Sequence, residues 1–134
     1  MTSSKEIKSS IKQILFKYPQ VTLCFVYGSL VKGNFTVTSD IDIAIGGKEK
    51  MDYSFMLKLS SELSLTLGRE VDLIDLQIVS GVILKKAVTT DRPLFLKDKQ
   101  LYAQLIKKMW YNQADMMPYY NRILKERREK FLNE

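Results

Sequence analysis

The chain has 134 residues, 46% hydrophobic and 27% charged, with three prolines and six glycines. That is the size and mix of one globular unit with a sizeable core, and it excludes extended disorder. Lysine and arginine number 21 against 15 acids, a net charge of +6, which points to an anionic partner or substrate (a nucleotide, RNA, an acidic protein surface) or to plain solubilisation. With no histidine and one cysteine, Ser-His and Cys-His nucleophiles, His-ligated zinc and disulfide frameworks are excluded.

What remains is a set of carboxylates, hydroxyls, Lys and Arg, the inventory that suits hard oxygen-ligated cations such as magnesium. No run approaches the roughly 18 apolar residues of a membrane span, and the first residues lead into no apolar secretory core. A cytoplasmic protein is expected.

In chain order, Ser3 or Ser4 caps a first helix whose Ile7, Ile11, Ile14 and Leu15 share a face, and which stops near Tyr18-Pro19. Val21 to Tyr27, rich in branched and aromatic residues, reads as a buried strand in which Cys24 is a small packing residue. Gly28 and Ser29 open a turn or short helix to Lys32, closed by Gly33-Asn34. Asp40 to Ile45 alternates acid or alanine with isoleucine, so it reads as a strand with Asp40 and Asp42 on one face and the isoleucines on the other.

A helix from Asp52 to Leu67 follows, with Tyr53, Met56, Leu57, Ser60, Leu63, Ser64 and Leu67 as its apolar-side set and Gly68 as its stop. Glu70 to Leu76 is a third strand, whose period leaves Asp72 and Asp75 on opposite faces. Ser80 caps a short helix to Val88, and Pro93 to Leu96 is an edge strand. From Leu101 the pattern is helical. Tyr102, Leu105, Ile106, Met109 and Trp110 make one stripe and Tyr120, Ile123, Leu124 and Phe131 another, with a break near Pro118. Basic Lys125, Arg127, Arg128 and Lys130 alternate with Glu126 and Glu129, a solvated paired face rather than a nucleic-acid stripe.

The chemistry concentrates between Tyr27 and Ile45. Strands alternating with helices give an α/β (α+β) arrangement, in which sites form at strand ends, and the Gly28-Ser29 turn directly follows a strand. Glycine lets the backbone approach a phosphate closely, and N–H groups with the Ser29 hydroxyl can donate to its oxygens. Two same-face carboxylates ~4 Å apart repel by roughly 4 kcal/mol at an effective dielectric near 20. Protonation, a neighbouring Lys or Arg, or a bound cation must offset this; a pair of magnesium ions about 3.5–4 Å apart does so in phosphoryl-transfer sites. Taken alone, Asp40 capping the strand and Asp42 facing solvent is the blander explanation.

Gly28-Ser29, ten residues, Asp40-Ile41-Asp42 and a later-strand acid together resemble the DNA polymerase beta-like nucleotidyltransferase superfamily, and the chain is similar to its minimal nucleotidyltransferase (MNT) members. More narrowly it resembles the MntA-type antitoxins of HEPN/MNT toxin–antitoxin pairs, through the stretch Gly68 to Leu76 and a tail with Asp115, Pro118 and Arg122.

The resemblance implies a small mixed sheet flanked by helices (1–98) with a C-terminal helical tail (99–134) packed on it as a single structural unit. It implies that Gly28 and Ser29 hold the triphosphate of ATP, and that Asp40 and Asp42 ligate two Mg2+ ions. Asp72 joins them as the third carboxylate, while Asp75 becomes a turn or cap residue. Relatives are often basic at the positions of Leu30 and Lys32; Leu30 departs from this, and Lys32 keeps a charge for phosphate or for solvent. Ser39 assists the phosphates or fixes the turn.

The implied activity is adenylyl transfer from ATP to a tyrosine of a cognate HEPN ribonuclease toxin. The competing expectations are a non-catalytic antitoxin that binds its toxin through Trp110, Met116, Met117, Tyr119 and Tyr120, and an antibiotic nucleotidyltransferase, for whose acceptor domain 134 residues leave little room.

Overall fold

The computed structural model describes residues 3–33, 36, 39–111 and 125, with Lys32 described by its backbone alone. Helix α1 spans Ser4–Leu15; the Ser3 hydroxyl accepts from the Glu6 N–H, and Ile7, Ile11, Ile14 and Leu15 are its buried face. Strand β1 (Leu23–Tyr27) is followed by the one-turn helix α2 (Ser29–Lys32), then β2 (Ile41–Gly46) and α3 (Tyr53–Leu67). Next come β3 (Val71–Asp75), α4 (Gly81–Thr89) and β4 (Phe95–Leu96). Residues 99–111 form a further helix, α5.

The four strands make one mixed sheet in the order β3-β2-β1-β4. Strand β1 pairs antiparallel with β2 and with β4, and β2 pairs parallel with β3. The alternation of side chains divides the core into two layers. Cys24, Val26, Ile41, Ile43 and Ile45 pack with α1 and with Leu59 and Leu63 of α3 on one face. Leu23, Phe25, Tyr27 and Ala44 pack with Leu84, Ala87 and Val88 of α4 and Leu101, Leu105 and Met109 of α5 on the other.

Most expected elements appear within a residue or two of their expected ends, including the edge strand after Pro93. The apolar face of α3 is corrected in part: Met56, Leu63 and Leu67 pack on the core as expected, Leu59 joins them, and Tyr53 and Leu57 do not. Its buried residues are Leu59 and Leu63, whereas Tyr53 is 80% exposed and Leu57 also faces solvent. The sequence FMLKLSSELSLTL carries leucines at both two- and four-residue spacings, so its period does not single out the packed stripe. Ser80 occupies the N-cap position of α4, but its side chain makes no capping hydrogen bond. Trp110, placed on the packed stripe of the last helix, is exposed. The expected break at Pro118, the second apolar stripe, and Asp115 and Arg122 lie outside the described residues.

Candidate active site

The strand pairing brings the site together. Tyr27 lies opposite Asp42, and Asp42 lies opposite Asp72, so these three side chains form one row across β1, β2 and β3 on the sheet face that carries α4 and α5. Asp40 precedes β2 by one residue and is exposed. Asp72 is exposed and Asp42 half-buried. Among the described residues, no ion pair engages any of the three acids.

Directly after Tyr27 the chain turns. Gly28 has φ +78° and ψ −148°, a combination essentially open to glycine only. A Cβ at this position would stand 2.2 Å from Oδ2 of Asp42. The glycine therefore serves two ends: it permits the turn into α2, and it leaves room for the Asp42 carboxylate against the backbone. Ser29 begins α2 and is half-buried. Leu30 is 4% exposed and belongs to the core layer with Val26 and Ile41. Its departure from a basic residue thus has a packing reason.

The electrostatics follow from the row. Burial, then repulsion by Asp72 and more weakly by Asp40, raises the Asp42 pKa, while the positive charge of Lys86 on α4 opposes the rise. Burial, with the charges of Asp42 and Asp72 behind it, pushes the Tyr27 phenol up to about 12. The acids form an excess of negative charge made only of oxygen donors, the chemistry that suits a hard divalent cation. Among the described residues no three acidic, cysteine or histidine side chains converge into a ready-made cage. The donor set fits a cation, and closing the ligand shell calls on Asp40 together with the Asp42–Asp72 pair and a ligand's own oxygens.

Ser39 takes a different part. Its hydroxyl accepts from the Thr36 N–H at 2.9 Å and lies 3.0 Å from the Thr36 hydroxyl. The Arg69 guanidinium donates to the carbonyls of Thr36 and Ser39, so this loop is tied to the end of α3. These bonds support the turn-fixing alternative for Ser39. Asp75 points into the opposite layer, buried at 3% exposure, and accepts from the Met51 and Gln77 N–H groups. Tyr27 and Lys86 were not singled out from sequence. The alternation Leu23, Phe25, Tyr27 carries the signal for the first once β1 is paired with β2; nothing local marks the second.

A cavity of about 550 Å³ lies at the other end of the sheet, lined by Gln20, Thr22, Lys48, Lys50 and Met51 among others, away from the acid row.

A mixed sheet that carries a Gly-Ser turn after one strand and aligned acids on the next two defines a nucleotidyltransferase. The family model described as Polymerase beta, Nucleotidyltransferase matches residues 9–100, and the chain belongs to this family. Protein adenylyltransferase MntA of Shewanella oneidensis is 32% identical over 95 residues, which cover 69% of this chain and 68% of that protein. A Methanocaldococcus jannaschii relative is 32% identical over 91 residues, covering 68% of this chain and 93% of its own length.

Among solved structures, a chain from a toxin–antitoxin crystal structure with AMP-PNP superposes with a TM-score of 0.73 at 26% identity, covering 87% of this chain and 98% of that one. A chain from the complex of tri-AMPylated Shewanella oneidensis HEPN toxin with MNT antitoxin gives 0.70 at 25% identity, covering 90% and 98%. The polymerase beta-like fold expected from sequence is therefore the fold observed. No helix among the described residues is long and apolar enough to cross a membrane.

Proposed function

We propose that this protein is a metal-dependent adenylyltransferase acting in the cytoplasm, which transfers AMP from ATP to a tyrosine hydroxyl of a HEPN-family toxin and thereby neutralises it. The observation that carries this is the register that sets Asp42 beside Asp72, with Gly28 packed against the Asp42 carboxylate. The names of the relatives supply the chemical class: a protein adenylyltransferase, a toxin–antitoxin with an ATP analogue, and an AMPylated toxin bound to its antitoxin.

Each residue has a role in this scheme. Backbone N–H groups following Gly28 and the Ser29 hydroxyl donate to phosphate oxygens of ATP. Lys32 adds a charge to the same phosphates, and Ser39 keeps the loop ahead of the acids in place, within reach of them. Asp40, Asp42 and Asp72 would hold two Mg2+ ions. When bound, these ions supply charge neutralisation at the α-phosphate and the leaving pyrophosphate, and acidify the acceptor hydroxyl. Asp72, the exposed member of the row, takes the acceptor's proton as its oxygen attacks the α-phosphorus; the bond to the β-phosphate oxygen breaks and pyrophosphate departs. Tyr27 forms the apolar floor against which the acid pair is set.

The test is mass spectrometry of a cognate HEPN protein after incubation with this chain, ATP and Mg2+. A gain of whole AMP units on tyrosine is expected, and none after the Asp40→Ala, Asp42→Ala double substitution. A second mode, neutralisation by complex formation alone, draws on one observation: Trp110 and Tyr111 are exposed and help line an apolar groove of about 520 Å³ on α5. If the folded double variant protects cells from the toxin as well as the parent does, complex formation prevails.

A further inference from the structure

The sheet has two edges, and they are finished differently. Strand β4 is two residues long and follows Pro93, the short, proline-led kind of edge that resists further pairing. Strand β3 is five residues long, with no proline or lysine along it. Its ladder to β2 opens with the Ile41 N–H on the Glu70 carbonyl and closes with the Leu76 N–H on the Ile45 carbonyl. In a parallel ladder this parity turns the backbone groups of Asp72 and Ile74 to β2 and those of Val71, Leu73 and Asp75 outward. The Asp75 carbonyl is taken by the Ile78 and Val79 N–H groups. The outward N–H and C=O of Val71 and Leu73 have no partner among the described residues. Val71, Leu73 and Ile74 are only half-buried, whereas every residue of β1 is buried.

We propose that the acceptor docks on this edge: an extended segment of the acceptor protein pairs with β3 as a further strand and sets its tyrosine beside Asp72. This rests on the adenylyl-transfer function set out above and adds to it how the acceptor is held. The row Tyr27, Asp42, Asp72 crosses the sheet and ends at the β3 edge. Its β1 end is closed, with Tyr27 buried and Gly28 turning the chain into α2, where that function places the triphosphate. In-line displacement brings the attacking hydroxyl from the side away from the leaving pyrophosphate, and the open side is the β3 edge. A strand added there lies about 4.8 Å from β3. Its residue facing Asp72 continues the row on the same face, so a tyrosine there carries its hydroxyl toward the acid that takes its proton. Residues on either side of that tyrosine turn to the other face, beside the half-buried Val71 and Leu73 of the α3 layer. The fitting acceptor is a tyrosine with apolar neighbours in an unpaired, extended stretch; main-chain bonds hold it, and the alternating side-chain positions select it.

Amide hydrogen exchange, read residue by residue on the full chain alone and with the acceptor protein of the assay above, AMP-PNP and Mg2+, tests the pairing. In the free chain the Val71 and Leu73 amides should exchange much faster than those of Asp72 and Ile74. In the complex they should slow about tenfold or more, while Asp72 and Ile74 change little. Val71→Pro removes one outward donor at the first residue of the strand, where proline is tolerated; Val71→Ala removes the side chain and keeps the donor. The proline variant should raise the KM for the acceptor protein about fivefold or more, because the facing carbonyl loses its donor, with parental AMP-PNP affinity and KM for ATP. The alanine variant should cost about twofold. Edge amides already protected in the free chain at all concentrations overturn the proposal, as do edge amides that stay open in the complex, or equal KM changes in the two variants. Protection that grows with chain concentration and needs no acceptor also overturns it, in favour of pairing between copies. If the proline variant does not fold, the exchange pattern of the parent decides alone. If the parent transfers no AMP to the acceptor protein, the adenylyl-transfer function fails first; if it transfers while Val71 and Leu73 stay open in the complex, only the docking fails.

Discussion

Replacing Gly28 with alanine tests how closely the turn and the acid pair depend on one another. The backbone at Gly28, φ +78° and ψ −148°, lies where a residue with a side chain costs about 1–3 kcal/mol. The added methyl would meet Oδ2 of Asp42 at 2.2 Å and its Cγ at 3.2 Å, where ordinary contact begins at 3.4 Å. The carboxylate must therefore withdraw by about 1 Å, a displacement that can cost about 100-fold in rate at a site whose geometry is preset. Asp42 sits at the sheet's end and is half-buried, so it can yield without loss of the core. Urea unfolding should show a stability loss of about 1–3 kcal/mol, while AMP transfer in the assay proposed above should fall about 100-fold. Parental turnover in the alanine variant, whatever its stability, would refute the claim that packing of Gly28 on Asp42 sets the catalytic geometry.

Asp72→Asn should abolish most transfer, about 100-fold or more, as expected for a group that takes a proton in the transition state, with an unfolding midpoint close to that of the parent because Asp72 is exposed; a parental rate would remove Asp72 from the site. In the metal-free protein the raised Asp42 pKa means that the folded state holds a proton longer than the unfolded chain, so this group's contribution to stability falls as pH rises from about 3.8 through the native value. Carboxyl NMR should place the Asp42 titration above the ordinary carboxylate range and show it lowered in Asp72→Asn and raised in Lys86→Ala; no response to either would contradict the charge arrangement. Asp75→Ala leaves the Met51 and Gln77 N–H groups without their acceptor, a cost of about 1–3 kcal/mol or more in unfolding free energy. Leu63→Ala, in the fully buried face of α3, should cost about 2–5 kcal/mol, whereas Leu65→Ala, at 84% exposure, should stay within about 0.5 kcal/mol; equal losses would mean that the packed stripe has been misplaced.

The elements with a two-residue or capped helical pattern were legible directly. Ile41, Ile43 and Ile45 announce a strand with one apolar face, and Ser3 and Gly68 bracket helices by side-chain capping and a left-handed stop. The face of α3 was legible only in part: Met56, Leu63 and Leu67 were expected on it, but leucines at mixed spacings satisfy more than one stripe until the sheet selects Leu59 over Leu57. Within the site, the order of acids was visible, but their alignment depends on pairing between strands more than twenty residues apart. Asp42 opposite Asp72 and Tyr27 opposite Asp42 are tertiary facts.

The short segment Val71–Asp75 shows how one strand serves both fold and chemistry with a single residue type. Asp72 and Asp75 are three apart, so the pleat sends them to opposite faces. Asp75 enters the layer closed by α3, where burial would be costly for a carboxylate left alone. Its two oxygens instead accept one backbone N–H each, from Met51 ahead of α3 and from Gln77 in the turn after β3. This anchors the far end of the strand and engages both oxygens in fold-holding bonds. Asp72 emerges at the near end, exposed beside Asp42, with no hydrogen bond among the described residues to satisfy its oxygens. The acid whose oxygens the fold engages is committed to holding the strand end, and the acid that it leaves open is the one free to meet a ligand; parity along β3, rather than residue type, separates the two.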